Sequence, residues 1–218
     1  MTSTEFTACY AYYGGGGIYL KDSTIQITSG NFTSCSASNE GGGIYSDSST
    51  LNVTSASFIS CSASKEGGGI YSDESTLVVT STEFTSCIAN EGGGIYPKDS
   101  TIQITWASFT SCSASYDGGG IYSSSSTLDV TSTSFTSCSA LGSTFSWGGG
   151  ILASSSTVQV TSTGFTGCSA DSVRTRFFSS SVRMKETNYR VACREATSTK
   201  IRAASPATPT IAQSTALI

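Results

Sequence analysis

The stretch Phe58-Ile-Ser-Cys61-Ser-Ala63-Ser-Lys-Glu66-Gly67-Gly68-Gly69-Ile70-Tyr71 recurs with small variations along most of the chain. Its Gly-Gly-Gly-Ile unit starts at Gly15, Gly41, Gly67, Gly92, Gly118 and Gly148, in steps of 26, 26, 25, 26 and 30 residues. A cysteine keeps the same beat at Cys9, Cys35, Cys61, Cys87, Cys112, Cys138 and Cys168. Self-similarity at a period of about 20–50 residues is the signature of a stacked solenoid.

Within one period, Gly41-Gly42-Gly43 supplies a tight turn, because glycine adopts positive φ without steric penalty. Ile44 and Tyr45 open a short strand, and Ser46-Asp47-Ser48-Ser49 reads as a turn. Thr50-Leu51-Asn52-Val53-Thr54 alternates with period two, so Leu51 and Val53 point inward. Equivalent strands begin at Thr24, Thr76, Thr101, Thr127 and Thr157. A phenylalanine follows each one, at Phe32, Phe58, Phe84, Phe109, Phe135 and Phe165. No segment of residues 1–170 shows the 3.6-residue apolar period of a helix. Three short β segments and three turns per repeat predict one full winding of an all-β, right-handed parallel β-helix, with about six coils of some 26 residues. A left-handed hexapeptide helix would show a coil of about 18 residues instead. A single coil buries too few apolar side chains to offset the conformational entropy of ordering it, so stability must come from stacking.

The charge is unevenly spread. Residues 1–170 carry three lysines and twelve acids, whereas residues 171–218 carry eight basic and three acidic residues. An acidic body without a basic stripe excludes nucleic acid as its partner. No apolar run is long enough for a membrane-spanning helix, and no signal peptide is visible. The opening Thr2-Ser-Thr-Glu-Phe6-Thr-Ala-Cys9 nearly repeats Ser81-Thr-Glu-Phe84-Thr-Ser-Cys87, so the chain reads as starting inside a repeat. The 30-residue step carries an insertion at Leu141-Gly-Ser-Thr-Phe-Ser-Trp147, expected as a loop on one side of the rod. Residues 171–202 lack a glycine triplet but place Cys193 one coil length after Cys168. They are expected to be a basic degenerate coil or cap, with coincidental spacing and a shifted reading frame as alternatives. Residues 203–218 have the composition of a disordered tail.

Phe58-x-x-Cys61-x-Ala63 followed by Gly67-Gly68-Gly69-Ile70-Tyr71 resembles the repeat of polymorphic outer membrane proteins, which pairs Phe-x-x-Asn with Gly-Gly-Ala-(Ile/Leu/Val). Here Cys stands in place of Asn and Gly in place of Ala. The resemblance covers residues 1–170 and implies a surface passenger domain with a part in adhesion. The membrane β-barrel that an autotransporter carries is not recognisable in this chain.

Four rows of side chains are candidates for chemistry or binding. The seven cysteines form either a structural ladder of small apolar groups or a redox or metal column. There is no His and no C-x-x-C, which disfavours zinc. Tyr19, Tyr45, Tyr71, Tyr96 and Tyr122 alternate with inward isoleucines. They read either as an outward stripe for sugar rings, extended by Trp147 in the insertion, or as a stabilising aromatic ladder. Glu40, Glu66, Glu91 and Asp117 each precede a glycine triplet, as a solvated turn row or as oxygen ligands for calcium, the one cofactor the chain suggests. The paired threonines, such as Thr50 and Thr54, form a regular face that suggests ice binding, though Gln26, Asn52, Val78, Gln103, Asp129 and Gln159 interrupt its centre. Asn31-Phe-Thr33 and Asn52-Val-Thr54 match the glycan acceptor pattern. Residues 1–170 hold no Arg, and their acids recur evenly instead of gathering into a catalytic pair. The expectation is therefore a non-enzymatic, extracellular or cell-surface structural and adhesive module, with host or self surface glycans or proteins as partners. The alternative is a carbohydrate-binding or carbohydrate-degrading β-helix.

Overall fold

A computed structural model of the protein describes residues 4–142 and 146–170 in full, and the strand backbone at 176–178, 181–185 and 188–190. The chain winds into a parallel β-solenoid in which every strand pairs with its equivalent one coil away. Four sheets run along its length. The phenylalanine sheet has eight strands, including Ser57–Ile59 and Glu83–Thr85. The alanine sheet (Ser36–Ala37, Ser62–Ala63), the tyrosine sheet (Ile44–Asp47, Ile70–Asp73) and the threonine sheet (Thr50–Thr54, Thr76–Thr80) have seven each. Each coil thus has four strands and four corners, where the sequence predicts three of each. The extra strand is Ser-Ala, whose two residues are too few for an alternation to show.

Each corner turns on one residue in the left-handed region. In the coil from Ser34 these are Ser34 (φ 55°), Gly41 (φ 64°), Ser48 (φ 49°) and Ser55 (φ 51°). Only the first glycine of each triplet is therefore the turn residue. The other two are required for close approach. A Cβ on Gly42 would fall on the carbonyl oxygen of Gly68 in the next coil, and one on Gly43 would lie 2.7 Å from a ring carbon of Phe58. The triplet combines one conformational requirement with two steric ones.

Side chains pointing inward form continuous columns. Phe6, Phe32, Phe58, Phe84, Phe109, Phe135 and Phe165 stack with ring centroids 4.6–4.9 Å apart and planes within 8° of parallel. This spacing matches the separation of hydrogen-bonded strands, about 4.8 Å. Leu51 and Val53 are fully buried, as their alternation predicts, together with Ile44 and the equivalents of all three in the following coils.

A polar column at the corner from the tyrosine to the threonine sheet has no counterpart in the sequence reading. The backbone N–H of Ser23, Ser49, Ser75, Ser100 and Ser126 donates to the hydroxyl of the matching serine one coil on, at 3.0, 2.9, 3.0, 3.0 and 3.1 Å. Each hydroxyl from Ser49 to Ser126 in turn donates to the carbonyl two residues before it, at 2.6–2.7 Å. A buried N–H at a corner cannot reach a strand partner, and the serine supplies the missing acceptor.

Beyond the last triplet the stack continues. Arg176–Phe178, Ser181–Lys185 and Asn188–Arg190 pair in parallel with the tyrosine, threonine and phenylalanine sheets. The rest of 171–202, including Cys193, and the tail 203–218 lie outside the described residues.

Gly42→Ala is expected to destabilise the rod by about 3 kcal/mol or more, because backbone blocks the added methyl. Gly164→Ala, where a Cβ meets nothing within 4 Å, should stay within about 0.5 kcal/mol of wild type. Ser75→Ala leaves the Ser49 N–H buried without its acceptor and should cost about 1–3 kcal/mol. Urea unfolding followed by circular dichroism measures all three.

Candidate functional site

The repeat is constant in length everywhere except at one corner. From the first glycine of a triplet to the next cysteine there are 20 residues in all six coils, Gly15 to Cys35 through Gly148 to Cys168. From the cysteine to the following triplet there are 6, 6, 6, 5, 6 and 10. All length variation thus falls between the alanine and tyrosine sheets. The short coil pairs there with a register shift between Ala89 and Glu91, and the insertion before Trp147 lies at the same corner. Its residues 143–145 are outside the described part. Side chains vary there too, with Tyr12 and Tyr13 in the first coil, Ser38 and Asn39 in the second, Ser64 and Lys65 in the third, and Tyr116 in the fifth.

Tyr12 and Tyr13 are 70% and 72% exposed and meet edge to face at 5.3 Å. Tyr10 is also exposed, and its hydroxyl pairs with Ser38 Oγ at 2.7 Å. Trp106 is exposed as well, at the corner between the threonine and phenylalanine sheets. It holds φ 54° where the other coils carry Ser29, Ser55, Ser81, Ser132 and Ser162. A bulky residue in the left-handed region is unusual, and such departures concentrate at functional sites. Sequence reasoning passed over these four aromatics. The signal was available as their departure from Ser or Asn at matching repeat positions.

The sequence leaves the tyrosine row as either an outward stripe or an aromatic ladder, and the structure stacks it. Its side chains point away from the phenylalanine column and stack, with centroids 4.8, 5.2 and 5.6 Å apart from Tyr19 to Tyr96 and an edge contact of 5.0 Å from Tyr96 to Tyr122. Tyr71 and Tyr96 are only 5% and 6% exposed. Tyr45 and Tyr122 are half-buried, and Tyr19 alone is open. The variable corner lies against this face: a Cβ on Gly14 would touch the Tyr45 ring, and one on Gly92 the Tyr96 Cβ. Burial pushes the Tyr45 and Tyr122 phenols up to about 12. Tyr71 and Tyr96 are therefore structural, and a sugar cannot stack on them. Trp147 is half-buried, and its backbone N–H donates to Asp117 Oδ1 at 3.0 Å.

The acidic row is in register. Glu40, Glu66 and Glu91 form successive parallel bridges, and Glu91 pairs with Asp117. Burial raises all three glutamates, with Glu91 reaching about 7 through burial and the charges of Glu66 and Asp117. Lys65 Nζ lies 3.9 Å from Glu40. The other acidic group is paired differently, Asp47 with Lys21 at 3.0 Å and Asp73 with Lys98 at 2.9 Å. Among the described residues no group of three or more acid, His or Cys side chains is placed to hold a metal ion.

Cys35 through Cys168 are buried, Cys9 is half-buried, and all seven thiols are free. From Cys35 on, each Sγ donates to the carbonyl of a phenylalanine in the preceding coil, at 3.3–3.5 Å, as in Cys61 to Phe32 and Cys87 to Phe58. Burial pushes the Cys35 thiol up to about 11 and Cys87 well above its ordinary value. Hydrogen bonds from neighbouring thiols pull Cys61 and Cys112 the other way, but all of these thiols are buried against backbone, whereas reactive ones sit in electropositive, open surroundings. The threonine files are also in register, with Gln26, Asn52, Val78, Gln103, Asp129 and Gln159 stacked between them.

No helix among the described residues is long and apolar enough to cross a membrane. No curated protein and no solved structure shows significant similarity to the chain. A family described as "Right handed beta helix region" matches residues 1–165. That match spans the repeats from the first coil to Phe165, and with the parallel four-sheet winding it makes the chain a member of the right-handed β-helix family.

Proposed function

We propose that this protein is a non-enzymatic β-helix of the cell surface or extracellular space, acting as a structural and adhesive module. One observation carries the reading. Three corners of the coil are constant in length, while the fourth varies in both length and side chain and bears the exposed pair Tyr12 and Tyr13. A rigid scaffold with one variable edge is how repeat proteins present a binding face. Exposed tyrosines suit such a face, since each ring offers apolar area with a polar tip at small entropic cost. The resemblance to polymorphic outer membrane repeats points the same way. Surface glycans and proteins are the partners in view.

A second reading, a carbohydrate-degrading β-helix, rests on Glu91. Its carboxyl is held up to about 7 beside Glu66 and Asp117, in the range of a general acid at neutral pH. Against that reading, the glutamates are half-buried and evenly spaced along a file.

Screening of the whole chain on a glycan array and against cell-surface extracts tests both readings. Tyr12→Ser with Tyr13→Asn, which copies the second coil, should reduce binding at least about tenfold with no change in melting temperature. Trp106→Ser restores the residue of the other coils and tests the second exposed aromatic in the same way. Release of oligosaccharide, abolished in Glu91→Gln, would overturn the adhesive reading in favour of the enzyme.

A further inference from the structure

Beyond adhesion, we propose that the carboxylate row Glu40–Glu66–Glu91–Asp117 is a proton-responsive seam that tightens the coil stack in mild acid and loosens it toward neutral pH. The geometry imposes this. The N–H of Gly41, Gly67 and Gly92 donates to the carbonyl of Glu66, Glu91 and Asp117 at 2.9, 3.0 and 2.9 Å. Those bonds lock the backbone of the row at the coil spacing, about 4.8 Å, so each carboxyl stands one coil from the next and feels its charge. Like charges in such a file repel, more strongly where water is excluded.

Lys98 and Lys65 both draw Glu66 downward, but its burial and the charge of Glu40 outweigh them. From the corner itself, Lys65 reaches Glu40. From the tyrosine sheet come the phenols of Tyr45, Tyr71, Tyr96 and Tyr122, the carboxylate of Asp73, and Lys98, which is committed to Asp73 at 2.9 Å. Asp117 accepts the Trp147 N–H. Among the described residues neither Glu66 nor Glu91 forms an ion pair, and the charges acting on Glu91 are those of Glu66 and Asp117.

The sign follows from linkage. A carboxyl raised in the folded state binds more protons folded than unfolded, so stability falls as pH rises. The contribution is full below the ordinary glutamate value of 4.5 and is lost as pH climbs through the folded value, about 7 for Glu91. Asp47, lowered by its bond to Lys21, works in the opposite direction, and its effect is confined to more acid solution.

The test is the melting temperature of the full chain between pH 4.5 and 7.5. It should fall across this window in the wild type. Glu66→Gln and Glu91→Gln remove the charge at similar shape, and each should raise the melting temperature at pH 7.5 by about 2–4 °C and flatten the slope. Glu83→Gln removes an exposed charge on the phenylalanine sheet and should leave the slope unchanged. A wild-type profile that is flat or rising would overturn the proposal. So would a Glu83→Gln effect equal to that of the row variants, because net charge would then account for the slope.

Discussion

Backbone hydrogen bonding between coils fixes the axial rise, and the other features of the rod adapt to it. Parallel strands separate by about 4.8 Å, so any side chain repeated once per coil meets its own copy at that distance. For phenylalanine this is favourable: offset parallel rings fill the interior as one column. For serine at a corner it closes a chain of N–H to hydroxyl bonds. For cysteine it places a thiol against a carbonyl of the preceding coil. For glutamate the same spacing stacks like charges. One constraint therefore produces both the stabilising columns and a file of like charges.

The glycine triplet is the point at which that constraint becomes most severe. Gly41 turns the chain, Gly42 lets two coils' backbones touch, and Gly43 leaves room for the Phe58 ring. Substitution at the second position acts on the stacking itself. The remaining corners mostly place serine in the left-handed region, with Ala8, Asp22, Glu74 and Asp99 in some coils, and bulky residues are unusual there. Trp106 departs from that pattern, and the strain it carries makes its exposure informative.

A fold built from a repeated unit separates scaffold from recognition in a simple way. Three corners are held by columns of buried serine, of cysteine, and of Ala56, Thr82, Ala107 and Thr133 between the threonine and phenylalanine sheets, so a change there propagates to both neighbours. The corner between the alanine and tyrosine sheets absorbs one residue fewer or four more without breaking the sheets on either side. Contacts specific to a partner are most easily accommodated there, and the exposed tyrosines of the first coil occupy it.

The winding, its period, the inward positions Leu51, Val53 and Phe58 and the stacking of the cysteines were all legible in the sequence, because periodicity is a property of the chain alone. The fourth strand was not, since two residues carry no alternation. The serine column was hidden as well, because serine is common in turns and its acceptor role exists only when the next coil is in place. The burial of Tyr71 and Tyr96 was decided by tertiary structure. Alternation says which face of a strand a side chain occupies, whereas only the path of the neighbouring corner says whether that face is covered.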